Sequence, residues 1–231
     1  MPPRPTPWPF SPEARRRRLC RTVAAGPLRD YLEAPLPDLE RDYRELKLLA
    51  VDLETTGLEP RRDHILSLGF VPLDGERIRL SGARRLLVRP PVGVAESAAV
   101  HGLTDDGLAR GLELREALPQ LLSALRGRAL LAHHAPLEER FLAAACRRLY
   151  GAPLVCLSVD TLRLERRLVG QDGSAPREDD LRLYAARARR GLPRYRAHDA
   201  LADALACAEL YLAQASLLAN GGRLTLRALR R

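Results

Sequence analysis

From residue 46 onward, apolar positions recur with two different periods, and the switches between them mark the elements. A buried strand is predicted over about Leu46–Leu53. Ile65–Leu73 and Arg77–Val88 read as two more strands, joined by the turn signal Asp74-Gly75. Helical spacing follows at about Thr104–Ala109 and Arg115–Leu125. A short apolar strand at Arg128–His133 leads into a helix from Pro136 to Tyr150, with proline at its start and Gly151 just past its end. Leu154–Ser158 predicts a strand and Thr161–Leu168 a helix. Asp179 or Asp180 caps a further helix running to Arg190. The last helix covers about Ala200–Ala219 and stops at Asn220-Gly221-Gly222. Together these predict an α/β fold: a mixed sheet of about five strands, the first three antiparallel, flanked by helices.

Residues 1–44 differ from this pattern. Six prolines fall within the first twelve positions, which excludes a helix or a central strand there. Arg15–Arg18 opens a short helix, and Trp8, Leu28, Tyr31 and Leu32 offer a packing face. The expected organisation is a Pro/Arg-rich extension over 1–44, the domain over 45–219, and a short basic tail over 220–231.

Composition adds a partner class. Of 231 residues 46% are apolar, enough for a core, and the net charge is +9. Among 38 basic residues only Lys47 is a lysine. Arginine binds phosphate in bidentate fashion, so a polyanion is a natural partner; a GC-rich coding sequence gives the same excess. Cys20, Cys146, Cys156 and Cys207 form no close pair, and no Cys/His spacing fits zinc. No apolar run suggests a membrane span, and the N-terminus lacks a signal-peptide core. The expectation is a soluble, cytoplasmic protein with reduced thiols.

The chemistry begins at Asp52 and Glu54. Strand side chains alternate faces, so both carboxylates point the same way from the end of an apolar strand. Two like charges that close need a cation between them, and hard divalent ions with oxygen ligands answer that need; a solvated strand end is the alternative. Asp203 lies in the first turn of a helix that is apolar nearly all round, where a carboxylate is costly unless paired or metal-bound. Asp199 is better placed to cap that helix. On the Pro136 helix, Glu138 shares its stripe with Leu142, Ala145 and Leu149, whereas Glu139 faces water; a salt bridge is the plain reading of Glu138. His198, five residues before Asp203, reaches the same point from a loop, and an imidazole there can take a proton from water.

In this order the positions resemble the DEDDh, or DnaQ-like, 3′→5′ exonucleases, which include polymerase proofreading subunits. Asp52-Leu53-Glu54-Thr55-Thr56-Gly57 resembles the first motif in full. His101-Gly102-Leu103-Thr104 resembles a connecting segment near the active site. His133-His134-Ala135-Pro136-Leu137-Glu138 resembles the second motif, and Asp160-Thr161-Leu162 the next strand end. His198 to Asp203 resembles the third; the tyrosine branch would place its tyrosine at position 199, where this chain has Asp199. The resemblance spans about 46–215. The second motif usually has aspartate at 138 and asparagine at 134. Glutamate is one methylene longer, which disturbs the octahedral geometry magnesium prefers.

The resemblance implies a ribonuclease H-like fold and stepwise hydrolysis from the 3′ end of DNA. Asp52, Glu54, Glu138 and Asp203 would hold two divalent ions, Mg2+ or Mn2+, and His198 would be the general base. Thr55, Thr56, Gly57 and Leu58 would lie against the terminal nucleotide, with His101 and His134 as further substrate contacts. The expected substrates are single-stranded or frayed 3′ ends of DNA, with RNA as the alternative, and a polymerase is an expected partner. A non-catalytic nucleic-acid-binding subunit is the reading from another class. Gln120-Leu121-Leu122-Ser123-Ala124-Leu125 faintly resembles a sliding-clamp peptide, but its helical spacing predicts core.

Overall fold

The structure is a computed structural model that describes residues 11–91, 105–170, 177–196 and 198–231. Among the described residues six strands form one sheet: β1 (Lys47–Thr55), β2 (Ile65–Asp74), β3 (Arg77–Ile78), β4 (Arg84–Leu87), β5 (Ala129–Ala132) and β6 (Ser158–Asp160). Their order is β3-β2-β1-β5-β6, with β4 also on β2. β2 runs antiparallel to β1, β3 and β4. β5 and β6 are parallel to β1. The mixed α/β sheet predicted from the pattern is therefore present.

Three predicted elements need correction. Arg77–Val88 is not one strand but β3 and β4, separated by a short 3-10 turn at Leu80–Gly82. Pro72 is the cause. Its carbonyl accepts the Arg79 N–H at 2.8 Å, so its missing N–H faces the same outer neighbour and the ladder must break there. The strand predicted at Leu154–Ser158 lies later, at β6. The helix predicted from Asp179 to Arg190 is a 3-10 turn, Glu178–Leu181, followed by α7 (Leu183–Arg189). His133 meets the Leu181 carbonyl there at 2.9 Å, in place of a helical bond.

The remaining helices are α1 (Pro12–Thr22), α2 (Pro27–Glu33), α3 (Asp105–Ala109), α4 (Leu114–Leu125), α5 (Pro136–Tyr150), α6 (Thr161–Val169), α8 (Ala200–Ala219) and α9 (Leu226–Leu229). Alternation along β1 divides the core. Leu49, Val51 and Leu53 face α4 and α5, and Val23, Leu28, Tyr31 and Leu32 join that layer. Leu48 and Ala50 face α8, with Leu224, Leu226 and Leu229 in the same cluster. The Tyr31 hydroxyl donates to the Val155 carbonyl at 3.0 Å, and the Tyr43 N–H to the Leu224 carbonyl at 2.8 Å. Leu121, Leu122 and Leu125 are fully buried, so the clamp-like segment is core.

The sequence expectation of no span-length apolar run also needs correction. By length and composition alone, α8 is apolar enough to cross a membrane. Here it is a core helix, with Ala204, Cys207, Ala208 and Tyr211 buried against the sheet. The four cysteines are free thiols.

Candidate active site

On the α8 face of β1 the sequence Leu48, Ala50, Asp52, Glu54 changes from apolar to acidic. Ligand oxygens of Asp52, Glu54 and Asp203 all lie within 4.8 Å of one another. Burial pushes the Asp52 carboxyl well above the usual range, and the nearby Glu138, Asp203 and Glu54 charges push it the same way. Burial raises Glu54 to about 7, with Asp203 adding to it and His198 and Arg85 opposing. Asp203 is raised mainly by burial, against the bond it accepts from the His198 backbone.

Glu138 comes from the opposite layer, at the start of α5. That helix has Pro136 in its first turn, acids next to it, Arg147 and Arg148 in its last turn, and Gly151 closing it at φ 72°. Glu138 is 3% exposed, stands outside the three-carboxylate group, and carries a buried oxygen, Oε2, with no hydrogen-bond partner among the described residues. Burial raises its carboxyl to about 8, and Asp160 adds to the rise. The salt bridge considered for Glu138 is absent among the described residues.

Three clustered carboxylates and a fourth with an orphaned buried oxygen suit a hard cation with oxygen ligands. The donor set therefore fits divalent metal use.

His198 has its backbone in the left-handed region at φ 64°, and its N–H donates to Asp203 Oδ2 at 2.8 Å. A non-glycine residue there costs about 1–2 kcal/mol, so the turn is held by its neighbours. Asp199 Oδ1 caps α8, accepting from Leu201 and Ala202 at 3.1 Å each, while Oδ2 pairs with Arg85 on β4 at 2.9 Å. Arg187 fastens the loop before His198, donating to the Pro193 carbonyl at 2.8 Å and to Ala206 on α8 at 2.6 Å.

The turn after β1 is also prearranged. The Thr55 hydroxyl donates to the Gly57 carbonyl at 2.6 Å. Thr56 Oγ1 accepts the His64 N–H at 3.0 Å and donates to Asp63 at 3.3 Å, and the Glu59 N–H meets Asp63 at 2.7 Å. Both threonine hydroxyls thus shape the loop, and Leu58 beside them is 67% exposed. His134, at φ 78°, is exposed and donates its N–H to Asp160 at 2.9 Å. His101 lies outside the described residues.

Sequence reasoning missed Gly69 and Arg85. Both lie in one cross-sheet row with Asp52. A Cβ on Gly69 would sit 2.0 Å from the Ala200 carbonyl carbon, so only glycine lets the start of α8 touch the sheet. An isolated glycine inside a strand pattern was the available signal.

His133 is half-buried, with Nδ1 2.9 Å from the Thr161 hydroxyl and Nε2 2.9 Å from the Leu181 carbonyl. The Leu181 carbonyl can only accept, which puts a proton on Nε2, while the Thr161 hydroxyl at Nδ1 also reaches the Ala132 carbonyl at 3.3 Å. Burial lowers its pKa from 6.5 to about 4. Below pH 6.5 the unfolded chain takes a proton that the fold refuses, so this contribution to stability falls by about 1.4 kcal/mol per pH unit down to about pH 4. In chelator, urea melts of wild type are expected to lose stability relative to His133→Gln across that window. Parallel pH profiles would overturn the lowered pKa.

The exonuclease family model RNase T matches residues 49–211. The chain belongs to that family. This exonuclease-family chain is 28% identical over 174 residues to the PolC-type DNA polymerase III of Thermotoga maritima, covering 74% of itself and 12% of that protein. It is 29% identical over 174 residues to the DNA polymerase III epsilon subunit of Haemophilus influenzae, covering 71% of itself and 65% of that subunit. The chain thus spans only a small part of its PolC-type relatives. In fold it is similar to the nuclease domain of 3'hExo, a DEDDh family member solved with rAMP, at a TM-score of 0.62 and 19% identity, covering 78% of this chain and 96% of that one.

Proposed function

We propose that this chain is a metal-dependent 3′→5′ exonuclease acting on single-stranded or frayed 3′ ends of DNA and releasing nucleoside 5′-monophosphates. The observation that carries the proposal is the convergence of Asp52, Glu54 and Asp203 within 4.8 Å beside the His198 turn. Asp52, Glu54, Glu138 and Asp203 would hold the divalent ions. Such ions supply charge neutralisation at the phosphate and acidify water.

The chain's own residues do the rest. Leu58 supports the terminal base, and the Thr55–Gly57 turn lies against the terminal nucleotide. A ring nitrogen of His198 takes the proton as water oxygen bonds to phosphorus. The bond from phosphorus to the 3′ oxygen of the preceding nucleotide breaks, leaving a shortened strand with a 3′ hydroxyl. His134, exposed in the turn before α5, and His101 are kept as candidate substrate contacts from the sequence.

Relatives named as DNA polymerase III proteins support DNA as the substrate, a cytoplasmic replication or repair setting, and a polymerase as partner. The rAMP held by 3'hExo supports RNA as the second reading. Matched DNA and RNA oligomers labelled at the 5′ end, digested with magnesium, manganese or chelator, test both. The expected result is a 3′→5′ ladder from DNA that chelator abolishes, faster with manganese because Glu138 replaces the shorter aspartate. Metal-independent hydrolysis, or a full rate in His198→Ala, would refute the mechanism.

A further inference from the structure

Outside the carboxylate centre, one groove of about 580 Å³ runs between α1, the loop following Leu58, and the outer face of α5. We propose that this groove binds the backbone phosphates of the single strand upstream of its 3′ end, with the N-terminal segment as one wall. The proposal rests on the exonuclease reading and extends it from the terminal nucleotide to the strand behind it.

Continuity supports the assignment. Glu59, Pro60 and Arg61 directly follow Leu58 and line the groove, and Glu139 and Arg140 line it from the first turns of α5, on the helix face turned away from the buried Glu138. Charge supports it next. Four arginines line the groove, Arg15, Arg61, Arg140 and Arg147, against two acids, Glu59 and Glu139. All four are exposed, and among the described residues none is ion-paired. Their neighbours on α1 behave differently: Arg16 and Arg17 are tied to Glu13 at 2.8 and 2.9 Å. The four groove guanidiniums make no ion pair among the described residues, although Arg140 donates through Nε to the Pro136 carbonyl at 3.3 Å, and a guanidinium edge left free of carboxylate can take phosphate in bidentate fashion.

The wall is fixed in place. Ser11 caps α1, Arg16 donates to the Leu32 carbonyl, and Tyr31 ties α2 to Val155, itself on the groove. Arg140 and Arg147 are seven residues apart, about 10 Å along the helix, so they meet different phosphates. Ala143 between them keeps the floor low enough for a strand to approach.

The test uses the full chain carrying Arg15→Glu with Arg147→Glu, and separately the milder Arg15→Gln with Arg147→Gln. Each is compared with wild type on a thymidine 20-mer and on the p-nitrophenyl ester of thymidine 5′-monophosphate, which is too small to reach the groove. Expected is a rise of about tenfold in KM for the 20-mer with the ester rate within twofold, and a smaller rise for the glutamine pair. Anisotropy of a labelled 20-mer in chelator should show the salt slope reduced by about 1.4 for two lost contacts. Equal changes on both substrates, or an unchanged salt slope, would overturn the groove assignment. If wild type hydrolyses neither substrate, the exonuclease reading fails while the anisotropy series still decides the groove.

Discussion

Asp52→Asn is expected to abolish hydrolysis while making the metal-free protein more resistant to heat near pH 8. Both effects come from one source. Asp52 is raised well above the usual range by burial and by the Glu138, Asp203 and Glu54 charges around it. Glu54 and Glu138 are held at about 7 and about 8. A carboxyl whose folded pKa is raised supports the fold while it keeps its proton. That support is lost as pH rises through the folded value, so metal-free protein weakens from mildly acid to about pH 8. Asparagine has no proton to exchange between the folded and unfolded chain, so it removes this cost at almost constant volume. A gain of about 1–2 kcal/mol, or roughly 2–8 °C for a chain of this size, is expected. On the proposed mechanism the same change would remove a ligand of the metal centre, and a loss of about 10³-fold or more in rate follows from the several kcal/mol such ions supply. Calorimetry in chelator at high and low pH, alongside oligonucleotide hydrolysis, measures both. The stability gain should shrink in acid, where the carboxyls are already protonated. A melting temperature that is unchanged or lowered near pH 8 would show that the cluster is not strained by its own charge.

That strain is also why part of the site was legible in the sequence. Asp203 and Glu138 stood out because each interrupts an apolar helical stripe, and the structure buries both helices as the period required. Asp52 and Glu54 stood out because an apolar strand ended in two acids on one face. Partners set by geometry across the sheet were not legible. Arg85 is one arginine among many, and nothing local marks it as opposite Gly69 and within reach of Asp199. The same limit applies to elements. The Pro136 helix carried its own start and stop signals and begins and ends where they predict. The break between β3 and β4 depends on Pro72 in the neighbouring strand, which a reading of residues 77–88 alone does not contain. The threonine hydroxyls of the first motif were expected to face the nucleotide, but their partners in the turn, Asp63 and the Gly57 carbonyl, become visible only once the loop closes.

Gly69→Ala tests how far catalysis depends on that hidden row. A methyl group at this position would meet the Ala200 carbonyl carbon and oxygen at 2.0 Å and the Leu201 nitrogen at 2.4 Å. These are backbone atoms at the start of a helix, so no side chain can swing aside. The first turn of α8 must lift by more than an ångström, and it carries Asp203, the Asp199 cap and the His198 turn. Overpacking of this kind costs about 1–3 kcal/mol, and a shift of about 1 Å in a reacting group costs on the order of 10²-fold in rate. The expected variant is folded, melts some degrees lower, and loses about 10²-fold in kcat with weaker metal binding. Adding Ala200→Gly separates this account from a side-chain clash. The obstructing atoms are main chain, so trimming the Ala200 methyl is not expected to restore the rate. Recovery in the double variant, or a near-wild-type kcat in Gly69→Ala alone, would mean that α8 is positioned by something other than its contact with this glycine.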